Sequence, residues 1–357
     1  MRLVLDMATK EGNPRNSEGS FIRLNDGSIL FAYSRYHGDS WHDHAGCNIA
    51  GIRSTDEGET WSEPEILVES AFYGTENIMS VSAVRQMNGD IGLYFLIKEK
   101  AGNITFGRAL SPDGYTFIPE RCDMNAPLSY YVVNNDRFER LADGRLCAPA
   151  AMHAYYGYGK GDPYSVAICL VSEDDGKTWI PTPCRLTLSA RNKSGRGFQE
   201  PGVIQHKDGM IRLWARTTAG FQYECWSRDN LITFSEPQTS VFTSPGSPLE
   251  MAENDGVVYA VYNPVPSYNG HFRTPATANR TPLVIRKSTD DGRSWSDPIA
   301  IEDDKERGYC YPALFFTKDN SILVSYCRGG LPEEEFCLQR MGITKIDLAE
   351  LESPEEK

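Results

Sequence analysis

No run of 18 apolar residues occurs in the 357-residue sequence, so no segment is long and apolar enough to cross a membrane as a helix. Cys-x-x-Cys and His-Glu-x-x-His are absent, and with them the common dithiol and zinc signatures; no metal and no other cofactor is expected. Basic charge is in short supply. Lys and Arg number 36 against 49 Asp and Glu, a net charge of −13. A nucleic acid or an anionic membrane needs a basic face, so neither is expected as a partner. The N-terminus, Met1-Arg-Leu-Val-Leu-Asp-Met-Ala, lacks the apolar core of a secretory signal, because Asp6 interrupts it. Nine cysteines are scattered at 47, 122, 147, 169, 184, 225, 310, 327 and 337. An odd, dispersed set gives no disulfide framework, and reduced thiols in a cytoplasm are expected; a secreted form whose signal has been removed is the alternative. Helical periodicity is missing before residue 346, and no linker divides the chain.

What the sequence does have is repetition. Ser-x-Asp-x-Gly-x-Thr/Ser-Trp occurs as Ser54-Thr-Asp-Glu-Gly58-Glu-Thr-Trp61, Ser172-Glu-Asp-Asp-Gly176-Lys-Thr-Trp179 and Ser288-Thr-Asp-Asp-Gly292-Arg-Ser-Trp295. Two eroded copies lie between them, Ser111–Phe117 and Ser227–Phe234. One such octapeptide is a hairpin turn: Asp caps the amides, Gly supplies positive φ, and the aromatic packs beneath the sheet. Five in one chain mark a repeated structural unit.

A second repeat is independent of the first. Six segments read as an alternating strand, a turn and a returning strand, beginning at Glu18, Ser80, Asn135, Glu200, Ser247 and Tyr311. In each, the turn residue (Gly27, Gly89, Gly144, Gly209, Gly256 or Asn320) falls nine positions after the first. Turns recur at intervals of 62, 55, 65, 47 and 64 residues, which suits four strands per unit. Six such units arranged radially predict an all-β, six-bladed β-propeller, one domain over residues 1–357. Only 37 residues follow Asn320, so the N-terminal Leu3-Val-Leu5 is expected to supply the last blade's outer strand. Residues 350–357 are expected to form a solvated acidic tail. Inner strands of a propeller run in parallel around one channel, so the six strand-start residues should meet at one mouth. Ordinary strand-start caps are the plain alternative.

The octapeptides resemble the Asp boxes of sialidases, and the whole chain resembles the sialidase-like, BNR-repeat propellers. The Asp box also occurs in non-catalytic propellers; more specific are the segments at the mouth. Glu200-Pro-Gly-Val-Ile…Arg216 keeps the sialidase spacing of a Glu opening an inner strand and an Arg returning sixteen residues later. Tyr311-Pro-Ala-Leu is similar to the strand bearing the family's nucleophilic Tyr, and Arg280-Thr-Pro-Leu-Val-Ile resembles the strand that brings a further Arg before an Asp box. The resemblance implies an exo-acting, retaining glycoside hydrolase with a terminal sialic-acid-like or other acidic sugar of a glycan as its partner. Tyr311 is then the nucleophile, Glu200 its base, and Arg216 and Arg280 the clamp on the substrate carboxylate. A neutral Tyr avoids the repulsion that a carboxylate nucleophile would meet beside an anionic sugar. Asp43, in Trp41-His-Asp-His-Ala, is the candidate acid, with Asp39 its competitor; His42 and His44 flank it as candidate substrate contacts.

One element departs from the family. Sialidases begin with a Phe/Tyr-Arg-Ile-Pro strand, where this chain has Asn13-Pro-Arg15-Asn-Ser-Glu18…Arg23. Arg15 is the preferred third arginine, since Arg23 falls near the turn. Glu18 adds a carboxylate foreign to the pattern, with Arg196 and Arg137 as candidate partners for it. Two aromatic loops, Tyr155–Tyr158 and Tyr262–Tyr268, are candidate sugar-stacking walls. Two rivals remain: a glycosidase of other specificity using Glu18 with Glu200 or Asp43, and a non-catalytic carbohydrate-binding propeller.

Overall fold

The computed structural model describes every residue except 156–160, 189–193, 267–275 and 353–357. The strands, in chain order, form six sheets, antiparallel except for one outer pair in the third. After β1 (Arg2–Met7), blade one is β2 (Asn16–Arg23), β3 (Ile29–Tyr36), β4 (Cys47–Ser54) and β5 (Glu65–Val68). Blade two is β6 (Ile78–Arg85), β7 (Ile91–Lys98), β8 (Ile104–Ser111) and β9 (Ile118–Arg121). Blade three holds β10 (Asp123–Met124), β11 (Tyr130–Val132), β12 (Glu139–Arg140), β13 (Leu146–Tyr155), β14 (Gly161–Ser172) and β15 (Thr178–Pro181). Blade four is β16 (Gln199–Gln205), β17 (Ile211–Arg216), β18 (Phe221–Ser227) and β19 (Gln238–Thr243). Blade five is β20 (Glu250–Asn254), β21 (Val257–Tyr262), β22 (Leu283–Ser288) and β23 (Ile299–Glu302). Blade six is β24 (Cys310–Phe316), β25 (Ser321–Cys327) and β26 (Met341–Asp347), with β1 hydrogen-bonded to β26 as its outermost strand. The all-β, six-bladed propeller expected from the repeats is the observed fold.

Among the described residues, six apolar clusters fill the junctions between neighbouring blades, one at each, and two smaller ones gather around Cys310 and around Tyr36. Inner and second strands are therefore covered on both faces, and β3, with Ile-Leu-Phe-Ala-Tyr-Ser-Arg-Tyr, is buried along nearly its whole length. Asp6 on β1 receives Arg340 Nε at 2.7 Å and Arg328 Nη1 at 2.8 Å, which fastens the ring where the chain's two ends meet.

All five copies turn on the same Ser–Asp pair, the eroded ones included, although the copy at Ser111 is one residue shorter. The Ser hydroxyl donates to the Asp two residues on at 2.8–2.9 Å. It also accepts the amide of Gly58, Gly114, Gly176, Leu231 or Gly292 at 2.8–3.0 Å. In blade three β10 lies outside the fourth strand; each turn joins the third strand to the fourth strand of its blade. By strand direction that is the end of the blade opposite the inner-strand starts.

Three expectations are corrected. Of the tail expected over 350–357, Leu351 is instead buried in the junction of blades five and six, at the end of a 3-10 turn over Leu348–Leu351 that Asp347 caps; Glu350 is exposed, and 353–357 lie outside the described residues. In blade three the inner strand is split, with the residues between β11 and β12 turning out of the ladder. In blade five the ladder begins at Glu250, three residues later than the repeat register placed it, because Ser244 accepts the Ser247 amide in a turn of its own.

Candidate active site

Four inner strands carry a one-residue register shift at their start, between Ser17 and Gly19, Met79 and Ser82, Gln199 and Gly202, and Cys310 and Ala313. Such a bulge leaves one residue outside the ladder and re-aims its side chain. The residues in the bulges, Glu18, Ser80, Glu200 and Tyr311, all have left-handed backbones with φ between 46° and 59°. In blade three the left-handed residue is Asp136, one position beyond the Asn135 that the repeat register singled out.

The four bulged side chains line a single cavity of about 220 Å³. The Tyr311 hydroxyl donates to Glu200 Oε1 at 3.2 Å, and Arg216 Nη1 donates to Glu200 Oε2 at 2.7 Å. The Arg280 guanidinium lies over the Tyr311 ring, 5.5 Å from its centre. Burial, reinforced by the Glu200 charge and opposed by Arg280 and Arg216, pushes the Tyr311 phenol well above its ordinary pKa. Tyr311 is therefore a neutral phenol hydrogen-bonded to the Glu200 side chain. Arg216 Nε and Arg280 Nη1 are buried N–H groups without a hydrogen-bond partner among the described residues.

Arg15 is fully buried at the blade-one side of the mouth and makes four hydrogen bonds. Nε donates to Ser17 Oγ at 2.8 Å, Nη2 to Glu18 Oε1 at 2.8 Å, and Nη1 to Asp43 Oδ1 at 2.6 Å. Glu18 takes its second hydrogen bond from Ser80 Oγ at 2.7 Å. Asp43 lines the cavity, and its side chain is 58 % exposed. Desolvation would raise its pKa, but Arg15 and Lys98 outweigh that and hold it below the usual carboxylate range. The Asp43 loop is fixed from blade two, where Asn77 Nδ2 donates to the carbonyls of Asp43 and Ala45 at 3.2 and 2.6 Å, and Lys98 Nζ donates to the Asp43 carbonyl.

Arg196 is exposed and borders both this cavity and an adjoining one of about 270 Å³, whose wall also holds Arg216 and Arg280. Gly197 makes the tight approach of this segment possible: at φ 67°, a Cβ would fall 2.2 Å from the Ser165 carbonyl.

Other sequence candidates lie elsewhere. Arg137 is buried away from the mouth, where it pairs with Glu250 and donates to the Leu249 carbonyl at 2.6 Å. It is a tie between blades three and five rather than a partner for Glu18, because the split inner strand turns it inward. His42 stacks on Trp41 at 4.4 Å, and His44 faces Tyr130 at 6.4 Å; both are exposed, and neither borders the cavity that Asp43 lines. Asn135 does not reach the cavity wall either. Its amide donates to the Gly19 carbonyl at 2.8 Å and beneath the mouth to blade six at Pro312, 3.4 Å away. Ser247 is absent from the wall because blade five lacks the bulge. The aromatic loop residues 156–158 and Tyr268 lie outside the described residues.

The sequence reading missed Lys98, Asn134 and Tyr130, which line the cavity. Lys98 closes β7 as Arg216 closes β17, so the rule that a second strand returns to the mouth would have selected it.

A family model described as "BNR repeat-like domain" matches residues 82–324. The chain belongs to the BNR repeat-like family. Among solved structures, this BNR repeat-like propeller is similar to a Dyadobacter fermentans protein of unknown function, at 16 % identity and a TM-score of 0.72, over 96 % of this chain and 98 % of that one. It is similar to the NanB sialidase of Streptococcus pneumoniae at 13 % identity and a TM-score of 0.71, over 98 % of this chain and 71 % of that one. A Ruminococcus gnavus intramolecular trans-sialidase matches at 13 % identity and a TM-score of 0.71, over 98 % of both chains. No curated protein matches in sequence. The fold is sialidase-like.

Proposed function

We propose that this propeller is an exo-acting, retaining glycoside hydrolase that removes a terminal sialic-acid-like or other acidic sugar. The observation that carries this is the hydrogen bond from Tyr311 to Glu200 at 3.2 Å, with Arg216 and Arg280 beside it. In the first step the Tyr311 oxygen bonds to the anomeric carbon as the glycosidic C–O bond breaks. Glu200 takes the phenolic proton, and the leaving oxygen is protonated by an acid, for which Asp43 is proposed. Water then cleaves the tyrosyl intermediate with the roles reversed. Arg216 and Arg280 hold the substrate carboxylate through charge-assisted hydrogen bonds, to which their unpartnered N–H groups are suited. The sialidase and trans-sialidase that share the fold support the same substrate class.

Asp43 is ionised in the free site, which favours acid conditions for substrates that need a protonated leaving group. Aryl glycosides, whose leaving groups stabilise themselves, should depend on it less.

The test is hydrolysis of an aryl sialoside beside neutral and uronic aryl glycosides, by the parent and by Tyr311→Phe. Cleavage of an acidic glycoside that falls by orders of magnitude in Tyr311→Phe is expected. Cleavage of a neutral glycoside that survives Tyr311→Phe would move the chemistry to Glu18, Glu200 or Asp43. Specific glycan retention without any cleavage would make the chain a binding propeller.

A further inference from the structure

Asp43, the acid of the proposed reaction, stands on the loop that joins β3 to β4, and its side chain is exposed. A proton donor on such a loop works only where the loop is held, because the acid must stay within hydrogen-bond reach of the leaving oxygen. Two backbone hydrogen bonds close the loop on itself, from Ala45 to the His42 carbonyl at 2.8 Å and from His37 to the Gly46 carbonyl at 2.9 Å. Arg15 holds it from blade one, with Nη1 donating to the Trp41 carbonyl at 3.2 Å and to Asp43 Oδ1 at 2.6 Å. The carbonyls of Asp43 and Ala45 are met from blade two instead.

Asn77 meets both. Its Nδ2 donates to the Asp43 carbonyl at 3.2 Å and to the Ala45 carbonyl at 2.6 Å, so one amide group places both its hydrogens on the loop. Asn77 is itself anchored. It is buried just before β6, it forms a parallel bridge with Cys47, and its carbonyl receives the Lys98 amide at 3.1 Å. Its Oδ1 is buried and has no partner among the described residues. An unpaired buried acceptor is costly, so packing alone does not account for an Asn here; its two donated hydrogen bonds do. Lys98 Nζ also reaches the Asp43 carbonyl, but Lys98 is charged and lines the cavity. Asn77 is uncharged and does not border the cavity, so it acts on the Asp43 backbone without touching a substrate.

We propose that Asn77 is a positioning residue for the proton donor: its Nδ2 holds the Asp43 backbone from the neighbouring blade, and losing that donor costs protonation of the leaving group far more than it costs binding. This rests on the hydrolase reading above, with Asp43 as the acid.

The experiment compares two glycosides of N-acetylneuraminic acid as substrates of the full chain. One releases 4-nitrophenol, whose anion leaves unaided. The other releases lactose, whose oxygen must take a proton as the glycosidic C–O bond breaks. Asn77→Leu keeps the branched shape of the side chain and removes the donor. It should lower kcat/KM by about a hundredfold for the lactoside and by less than about fivefold for the nitrophenyl glycoside, the same split as Asp43→Ala. Binding of 2-deoxy-2,3-didehydro-N-acetylneuraminic acid should change by less than about twofold, since the loss falls on the transition state. Combined with Asp43→Ala, Asn77→Leu should cost nothing further, because the group it positions is already gone. An equal fall on both glycosides, or a further loss in the double variant, makes Asn77 a merely structural residue and overturns the proposal. An Asp43→Ala variant that does not separate the two glycosides also overturns it, and leaves the hydrolase reading standing on the Tyr311→Phe result. A parent that cleaves neither glycoside, and no 4-nitrophenyl uronide, overturns both. Should Asn77→Leu fail to melt cooperatively, Asn77→Ser, shorter and with a single donor, should show the same split; an equal fall on both glycosides in that variant overturns the proposal as well.

Discussion

Trp179→Ala separates the structural repeat from the site. The indole is fully buried at the junction of blades two and three. It meets Tyr94, Phe106 and Phe138 edge-on, with ring centres 6.0, 5.6 and 5.1 Å away. Its Nε1 donates to the Gly176 carbonyl at 3.0 Å. Burying an aromatic side chain removes about 150–250 Å² from water, and at ~25 cal/mol per Å² this gives about 4–6 kcal/mol. Part of that is recovered through the retained Cβ and relaxation around the hole, so a loss of about 3–5 kcal/mol is expected. Unfolding entropy of ~2.1 cal/mol/K per residue, over 357 residues, comes to about 0.75 kcal/mol/K. The melting temperature should thus fall by about 4–7 °C in a calorimetric scan. Trp61 and Trp295, in the same turn but only partly buried, should each cost less. Turnover per folded molecule should be unchanged, because the turn lies at the far end of its blade. A shift below 1 °C would refute the buried-wedge account, and lost turnover in a still-folded variant would implicate the turns in the chemistry.

The pH dependence of stability should carry the signature of Asp136. Burial raises its pKa to about 6 despite hydrogen bonds from Ser20 and Leu314. A carboxyl with a raised folded pKa stabilises the fold below the unfolded value near 4, and that contribution is lost as pH rises through about 6. Denaturant titrations between pH 4 and 7 should show this decline, and Asp136→Asn should flatten it, gaining up to about 3 kcal/mol at pH 7; an unaltered slope in the variant would assign the decline to another group. Arg216→Ala should weaken an acidic sugar by about 1.5–3 kcal/mol in direct binding. Combined with Tyr311→Phe, it should cost clearly less kcat/KM than the two single losses multiplied, since both act through Glu200; strict additivity would break the unit.

The fold was legible because it is written five and six times over. Asp-Gly and Asn-Gly turns at a fixed distance from strand starts report the blade repeat, and even the eroded box at Ser227 retains the Ser and Asp that make the turn. The Tyr311–Glu200–Arg216 constellation was legible for a related reason, since strand starts and second-strand ends are brought to one mouth by the topology. Blades three and five broke the rule where hydrogen bonding outside the ladder overrode the repeat. Asn135 binds the Gly19 carbonyl across the channel, and Ser244 captures the Ser247 amide. The pairing of Arg15 with Asp43 was not legible. It depends on the Asp43 loop being drawn over the mouth by Asn77 and Lys98, contacts between blades that no local pattern announces.

The left-handed residues connect fold and site. A non-glycine residue in that region costs about 1–2 kcal/mol, and the chain accepts it at Glu18, Ser80, Asp136, Glu200 and Tyr311. None of these is β-branched, the class for which the cost is greatest. A regular strand start would remove the strain and return each side chain to the alternation of the sheet. Blade five does this: its inner strand pairs with β21 without a register shift, and the residue at its expected start, Ser247, does not reach the cavity. Where the left-handed residue is present, four of the five side chains form the cavity wall, and the fifth, Asp136, binds Ser20 of blade one and the Leu314 amide of blade six beneath it. Four of the five strained positions thus coincide with the cavity wall, and the blade without a left-handed strand-start residue contributes none to it.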